Sequence, residues 1–327
     1  MELKWTTGEV RYFRLGRHAL LAALKLLETK QGDAVLVPAF ICRDLLAPIY
    51  AAGAIPVFYD VDRRLRPVAL PEAQNVRAVL AVNYFGFPQE LAPFRAYCAR
   101  HNAALIEDNA HGFLSRDAAG ALLGERGDLS IFSLRKTLVI PDGGALAVNK
   151  PEWRSRLEVQ LPCSSRALPL GYRARYALSQ IQRRTGINIL LLSQKMVRLV
   201  RRFRTGEALP VSAPESESQL PANPEPHCRS LELIAKFEAA AEVTRRRTLY
   251  KRLHHLLAKE GVEPIFGDLS DGVAPYGYPF YADRNKADKV KNIAAGLGLD
   301  CVKWPDLPAA VEPLAPEHYQ SARVVII

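Results

Sequence analysis

The sequence predicts an α/β protein: a large, mostly parallel sheet covered by helices, followed by a smaller α/β unit. Three observations carry this. Strand-length apolar runs alternate with helical periodicity through residues 1–150, the pattern of parallel strands joined by covering helices. A stretch rich in Pro, Ser and Glu, 209–226, then interrupts the pattern. A shorter strand–helix–strand pattern closes the chain, and 327 residues suffice for both parts. The implied division is a large domain over 1–225, then a linking helix and small C-terminal domain over 227–327.

Residues 16–27 open the series, with Leu20, Leu24 and Leu27 recurring on one helical face. Segment 34–38 is a short apolar strand, and 54–61 is another after a helix ending near Gly53. Segment 76–84 is strongly β-like. Residues 89–101 place Leu91, Phe94 and Cys98 on one side of a helix, and 103–107 form the next strand. Segments 128–133 and 145–148 complete the set. Residues 151–206 read as an insertion of basic helices, in which Leu192, Met196, Leu199 and Phe203 share one face and Lys195, Arg198 and Arg202 another. Segment 209–226 is expected to be an extended, poorly ordered loop. One long helix should follow through Leu231, Ile234, Phe237, Ala241, Leu249 and Leu253. Segments 276–281 and 300–303 are strand-like around a helix over 286–297, and the chain ends in the apolar run 322–327.

The formal net charge is +10, and residues 151–206 carry the surplus, with twelve Lys and Arg against two Glu. The plain reading is a helix packing its apolar side on this protein or on a twin subunit. A polybasic amphipathic surface also suits anionic headgroups or acidic glycans, so peripheral membrane contact is the sharper alternative. Nucleic acid is not expected, because no recognition motif accompanies the charge. Five scattered cysteines without a Cys-x-x-Cys pair argue against a disulfide framework or zinc site and for a reducing cytoplasm. The histidines show no metal-binding spacing, so no metal is expected. The N-terminus is charged at once, unlike a signal peptide. The apolar segment 187–192 is too short to cross a bilayer.

Two residues carry the most chemical information. Asp108 lies in Ile106-Glu107-Asp108-Asn109-Ala110-His111, and Lys136 in Phe132-Ser133-Leu134-Arg135-Lys136-Thr137. Ligands of open parallel sheets gather beyond the carboxyl ends of strands, where Asp108 and Ser133 both fall. A carboxylate ending one strand and a lysine following another, with Gly143-Gly144 close behind, is the layout that pyridoxal 5'-phosphate requires. The acid keeps a proton on the pyridine nitrogen, and the lysine binds the aldehyde as a Schiff base and then moves protons. The blander uses are a helix N-cap for Asp108 and a solvated loop position for Lys136.

Residues 10–150 resemble the DegT/DnrJ/EryC1/StrS sugar aminotransferases, through an ordered series of motifs. Gly16-Arg17-His18-Ala19-Leu20 is similar to the family's Gly-Thr-x-Ala-Leu, and Asn83-Tyr84-Phe85-Gly86-Phe87-Pro88 to its His-x-Tyr-Gly-x-Pro. The Asp108 segment is close to Ile-Glu-Asp-Ala-Ala-Gln/His, and Ser133, Lys136 and Gly143-Gly144 follow in family order. Arg245-Arg246-Arg247-Thr248-Leu249-Tyr250 resembles a later family helix. The resemblance implies a three-layer fold-type-I large domain and assigns Lys136 and Asp108 as catalytic. Gly16, Arg17, His18, His111 and Ser133 join them in holding pyridoxal phosphate: amides of the first three on the phosphate, His111 on the phenolic oxygen, Ser133 on the phosphate. Departures are visible. Arg17 replaces the usual threonine, Asp142 replaces a glutamate, and Ser133 and Lys136 are closer in sequence than their family counterparts. Cys42 stands where a ring-stacking aromatic is expected, which leaves Phe40 or Tyr84 to cover the ring.

The implied activity is transfer of an amino group from an amino acid such as glutamate to a nucleotide-linked keto-sugar, in polysaccharide or modified-sugar biosynthesis, by a cytoplasmic homodimer. Two alternatives stand beside it: a sugar dehydratase of the same fold, in which some relatives replace the lysine, and a non-catalytic scaffold working through its basic insertion.

Overall fold

The computed structural model describes residues 8–157, 159–185, 213–267 and 269–327. The helix faces expected at 187–206 and the start of the 209–226 loop lie outside them.

Seven strands form the main sheet: β1 Glu9–Phe13, β2 Ala34–Pro38, β3 Ile55–Tyr59, β4 Val76–Val82, β5 Ala104–Asn109, β6 Leu129–Phe132 and β7 Gly144–Val148. Their order is β1-β7-β6-β5-β4-β2-β3. All pairs from β3 to β6 are parallel, and β7 runs antiparallel to both its neighbours. Among the described residues the α-helices are α1 Gly16–Leu26, α2 Leu46–Ala51, α3 Ala92–His101, α4 Pro151–Arg154, α5 Leu170–Thr185, α6 Cys228–Ala235, α7 Ala239–Ala258, α8 Arg284–Gly296 and α9 Glu317–Ser321. A second sheet, β8 Gly277–Tyr281, β9 Asp300–Lys303 and β10 Ala322–Ile326, has β10 at its centre, antiparallel to both neighbours.

Three layers result because central strands are apolar on both faces. Val35, Val37, Leu80, Ile106 and Ile131 pack with Leu20, Ala23 and Leu24 of α1 and Leu46 and Ile49 of α2. From the other face, Leu36, Val79, Ala81 and Leu105 meet Phe94 of α3, Leu253 and Leu257 of α7, and Tyr278, Phe280 and Val324 of the second sheet. One apolar core therefore joins the first sheet to the second. Each fully buried Leu or Phe contributes about 1.5–3 kcal/mol, so this shared core ties the two sheets together firmly.

Three expectations change, and one strand is added. The single helix through 231–253 is two, α6 and α7, because Glu238 is extended at φ −97°, ψ 96° and Phe237 packs on Phe113 at a ring distance of 6.2 Å. No Gly or Pro marks this break; packing imposes it. The 213–226 part of the loop is tied down: carbonyls of Pro221, Pro224 and Pro226 accept from His18 Nε2 (2.7 Å), the Arg14 amide (2.8 Å) and the Ser164 amide (2.8 Å). β1 was not evident in the sequence pattern; its ladder to β7, Glu9↔Val148 through Phe13↔Gly144, gives a mostly half-buried strand its place.

The third correction concerns cysteine: Cys163 and Cys228 form a disulfide. They are 65 residues apart in sequence, which hid the pairing. The parallel bridge between Ser164 and His227, with Cys228 donating its N–H to Ser164 O at 3.1 Å, sets them side by side. Asp142 braces the same junction, with its Oδ1 accepting from the His227 amide (3.0 Å) and Ser230 Oγ (2.8 Å) and its Oδ2 from Arg166. Among the described residues no helix is long and apolar enough to cross a membrane.

Candidate active site

The ends of β4, β5 and β6 and the start of α1 surround a cleft of about 270 Å³. Asp108 is the penultimate residue of β5 and only 3% exposed; its Oδ1 accepts the Ala110 N–H at 2.8 Å. Beyond β6, Ser133 precedes a 3-10 turn, Leu134–Lys136, closed by the Lys136 N–H on Ser133 O at 3.0 Å. This tight turn is how the short Ser133–Lys136 spacing still brings both residues to the cleft. Lys136 Nζ lies 3.1 Å from His111 Nε2.

The start of α1 supplies backbone donors. Its N-cap, Leu15, offers no side-chain cap, and the Gly16 and Arg17 amides have no partner among the described residues. Unpaired amides at a helix start attract anions. Close approach is built in: a Cβ on Gly16 would meet Phe132 O at 3.2 Å, and one on Gly144 would sit 2.2 Å from Leu15 C. Arg17 faces Asp44 at 3.8 Å on the cleft wall. His18 differs from its two neighbours. Its amide already donates to Leu15 O (3.0 Å), and its imidazole turns to Pro221 O outside the cleft.

Burial dominates the electrostatics. It raises the Asp108 carboxyl above the ordinary carboxylate range, while the Ala110 amide and the Lys136 charge pull the other way. It lowers the Lys136 amine, with Arg135 adding to the effect against Cys42 and Asp108. His111 falls well below the usual imidazole value through burial, then through the charges of Lys136 and Arg246. Burial pushes the Cys42 thiol up to about 11, so it stays protonated.

Neither Phe40 nor Tyr84 covers the cleft. Both are buried beneath it, Tyr84 Oη donating to Phe40 O at 2.8 Å. The aromatic walls come instead from Tyr276 and Trp304, both distant in sequence. Trp304 stands edge-on to Phe40 and Phe85 at 5.2 and 4.9 Å. The sequence offered no signal for either, because only the packing of the second sheet brings them here.

Beneath Asp108, Glu107 is fully buried and held by Arg126 at 2.7 and 3.1 Å, by three backbone amides, and by Asn83 Nδ2 at 3.0 Å. Removing one partner of a buried ion pair costs about 3–5 kcal/mol. Glu107→Ala should therefore lower the denaturation midpoint by an amount equivalent to that range, with Glu107→Gln milder, in equilibrium denaturant unfolding.

The model of the DegT/DnrJ/EryC1/StrS aminotransferase family matches residues 13–180, just over half of the chain. The chain belongs to the DegT/DnrJ/EryC1/StrS family. It is 34% identical over 155 residues to the dTDP-4-dehydro-2,3,6-trideoxy-D-glucose 4-aminotransferase of Saccharopolyspora spinosa, a match covering 45% of this chain and 40% of that protein. It is 31% identical over 141 residues to the GDP-perosamine synthase of Vibrio cholerae, covering 41% and 38%. The match thus spans well under half the length of these curated relatives. Among solved structures, the aminotransferase TlmJ from Streptoalloteichus hindustanus aligns with a TM-score of 0.65 at 20% identity, over 97% of this chain and 80% of that one. A DegT DnrJ EryC1 StrS aminotransferase from Brucella abortus aligns with a TM-score of 0.62 at 18% identity, over 99% and 82%. At such identities the likeness shows the fold, which is the fold-type-I α/β arrangement expected of the DegT/DnrJ/EryC1/StrS family.

Proposed function

We propose that the chain is a pyridoxal-phosphate-dependent aminotransferase that moves an amino group from an amino acid, glutamate foremost, to a nucleotide-linked keto-sugar. The observation that carries this is the meeting of Asp108, Lys136, His111, Ser133 and the unpaired amides of Gly16 and Arg17 at one cleft. Their chemistry fits the cofactor part by part. A buried carboxyl suits a ring nitrogen, Ser133 and the amides of Gly16 and Arg17 suit a phosphate, and an amine of lowered pKa suits an aldehyde. His18 would contribute its place in the helix rather than its ring.

When bound, the cofactor supplies an aldehyde to carry the amino group and a ring to accept the electron pair left on the donor's α-carbon. Asp108 would keep the ring nitrogen protonated. Lys136 would bind the aldehyde, leave when the donor amine arrives, and then take and return the α-proton as general base. His111, neutral and within reach of Lys136, would donate to the phenolic oxygen. The nucleotide-linked substrate is suggested by the activities for which the Saccharopolyspora and Vibrio relatives are named. A homodimer belongs to this reading as a family expectation. A cytoplasmic setting also belongs to it, although the Cys163–Cys228 bond counts against a reducing compartment.

Purified protein tests the proposal. With pyridoxal phosphate it should acquire a visible absorption band that borohydride fixes on Lys136 in peptide mapping and that glutamate bleaches. A folded sample that stays colourless would overturn the reading in favour of a scaffold.

A further inference from the structure

The imidazole of His111 is clamped on both faces. Phe85 stacks on one side at 5.5 Å and 14°, Tyr276 on the other at 4.2 Å and 5°. Phe85 reaches this place through a left-handed backbone, φ 55°, unusual for a residue with a side chain. Such a conformation costs about 1–3 kcal/mol and persists only where its surroundings enforce it. Here Asn83 enforces it: its side chain donates to Glu107 and Asn109 and accepts from the Gln89 amide at 2.8 Å. The turn is also locked to the opposite jaw. The Tyr276 amide donates to Phe85 O at 2.8 Å, and a Cβ on Gly86 would lie 2.7 Å from Ala274 O. Behind Tyr276, the Arg246 guanidinium lies 5.9 Å from the ring centre, 1% exposed and paired with Glu242 at 2.7 Å.

The same turn selects the tautomer. The Phe85 N–H points at His111 Nδ1 at 3.4 Å, so Nδ1 accepts. A neutral imidazole with Nδ1 accepting carries its proton on Nε2, the atom facing Lys136 Nζ at 3.1 Å. An ammonium cannot accept that proton; a free amine can. We infer that Tyr276, backed by Arg246, is a positioning residue: with Phe85 it holds His111 as the Nε2–H tautomer, so that Lys136 is met by a donor and kept as a free amine. The inference rests on Lys136 being the reacting amine. Arg246 faces the imidazole as a permanent charge and opposes its protonation, as does Lys136 whenever it is an ammonium; burial holds the Tyr276 phenol at about 12, so it adds no charge.

Nitrogen NMR of histidine-labelled protein without added cofactor tests this, so the outcome is independent of the cofactor reading, which the absorption experiment decides separately. A His111→Gln sample assigns the signal. In the wild type, His111 should show the Nε2–H pattern and not titrate between about pH 5 and 8. Tyr276→Phe should behave identically, because the stack needs the ring and not the hydroxyl. Tyr276→Leu, which fills the space without an aromatic face, should mix the tautomers and raise the imidazolium fraction near pH 6 on the order of tenfold. Amine-selective labelling of Lys136 in that variant should move to higher pH. Circular dichroism restricts the comparison to folded samples. Unchanged His111 signals in Tyr276→Leu, or a Tyr276→Phe variant that behaves like Tyr276→Leu, would overturn the inference.

Discussion

Lys136→Ala should abolish borohydride-fixed labelling of the protein by pyridoxal phosphate and reduce amino transfer by roughly 10²–10⁴-fold from the loss of the general base alone. The reason is local. Lys136 is the lysine on the cleft wall, its amine lowered by burial and by Arg135. Peptide mapping after reduction and steady-state transamination with glutamate check the two parts; retained labelling elsewhere would move the reacting amine to another residue. The sign of the pH dependence follows. A lowered amine pKa gives more free amine at a given pH, so adduct formation should begin at lower pH than with an exposed lysine. Arg135 lowers the amine further, so Arg135→Gln should return the profile towards higher pH, read by adduct absorbance across a pH series.

Asp108→Asn should leave cofactor affinity largely intact but lower the turnover rate roughly 10²–10³-fold, the loss typical of removing one preorganised charge from a reacting centre. Asparagine retains the shape and the acceptor for the Ala110 amide, but not the charge that would keep a ring nitrogen protonated. Stability should move the other way. Burial raises the folded pKa of Asp108 above its unfolded value, so the ionised form costs stability at pH above the folded value. Without cofactor, Asp108→Asn should be at least as stable as the wild type near pH 7. The difference should shrink as pH falls through the carboxylate range, about 4, as followed by thermal melts at a series of pH values.

Much of this was legible because it is local. Strands β2 to β7 are short apolar runs, and their ends place Asp108 and Ser133 within a few residues of the pattern that announces them. The unpaired start of α1 follows from Gly16 leading an apolar periodic run. What escaped depends on chain segments far apart. Tyr276 and Trp304 look like ordinary strand and loop aromatics until the second sheet packs on the first. The role of Phe85 depends on a backbone angle that no residue type declares; asparagine or glycine would have hinted at it, phenylalanine does not. The turn of His18 away from the cleft is set by Pro221, in a loop whose composition suggested no fixed partner.

The bond between Cys163 and Cys228 closes residues 164–227 into a covalent ring. A single cut in this ring releases no fragment: the two pieces stay linked, and a thiol reductant lets them separate on a denaturing gel. The sequence of cutting and then reducing thus maps the ring's accessible peptide bonds without dismantling the sheet that carries Lys136.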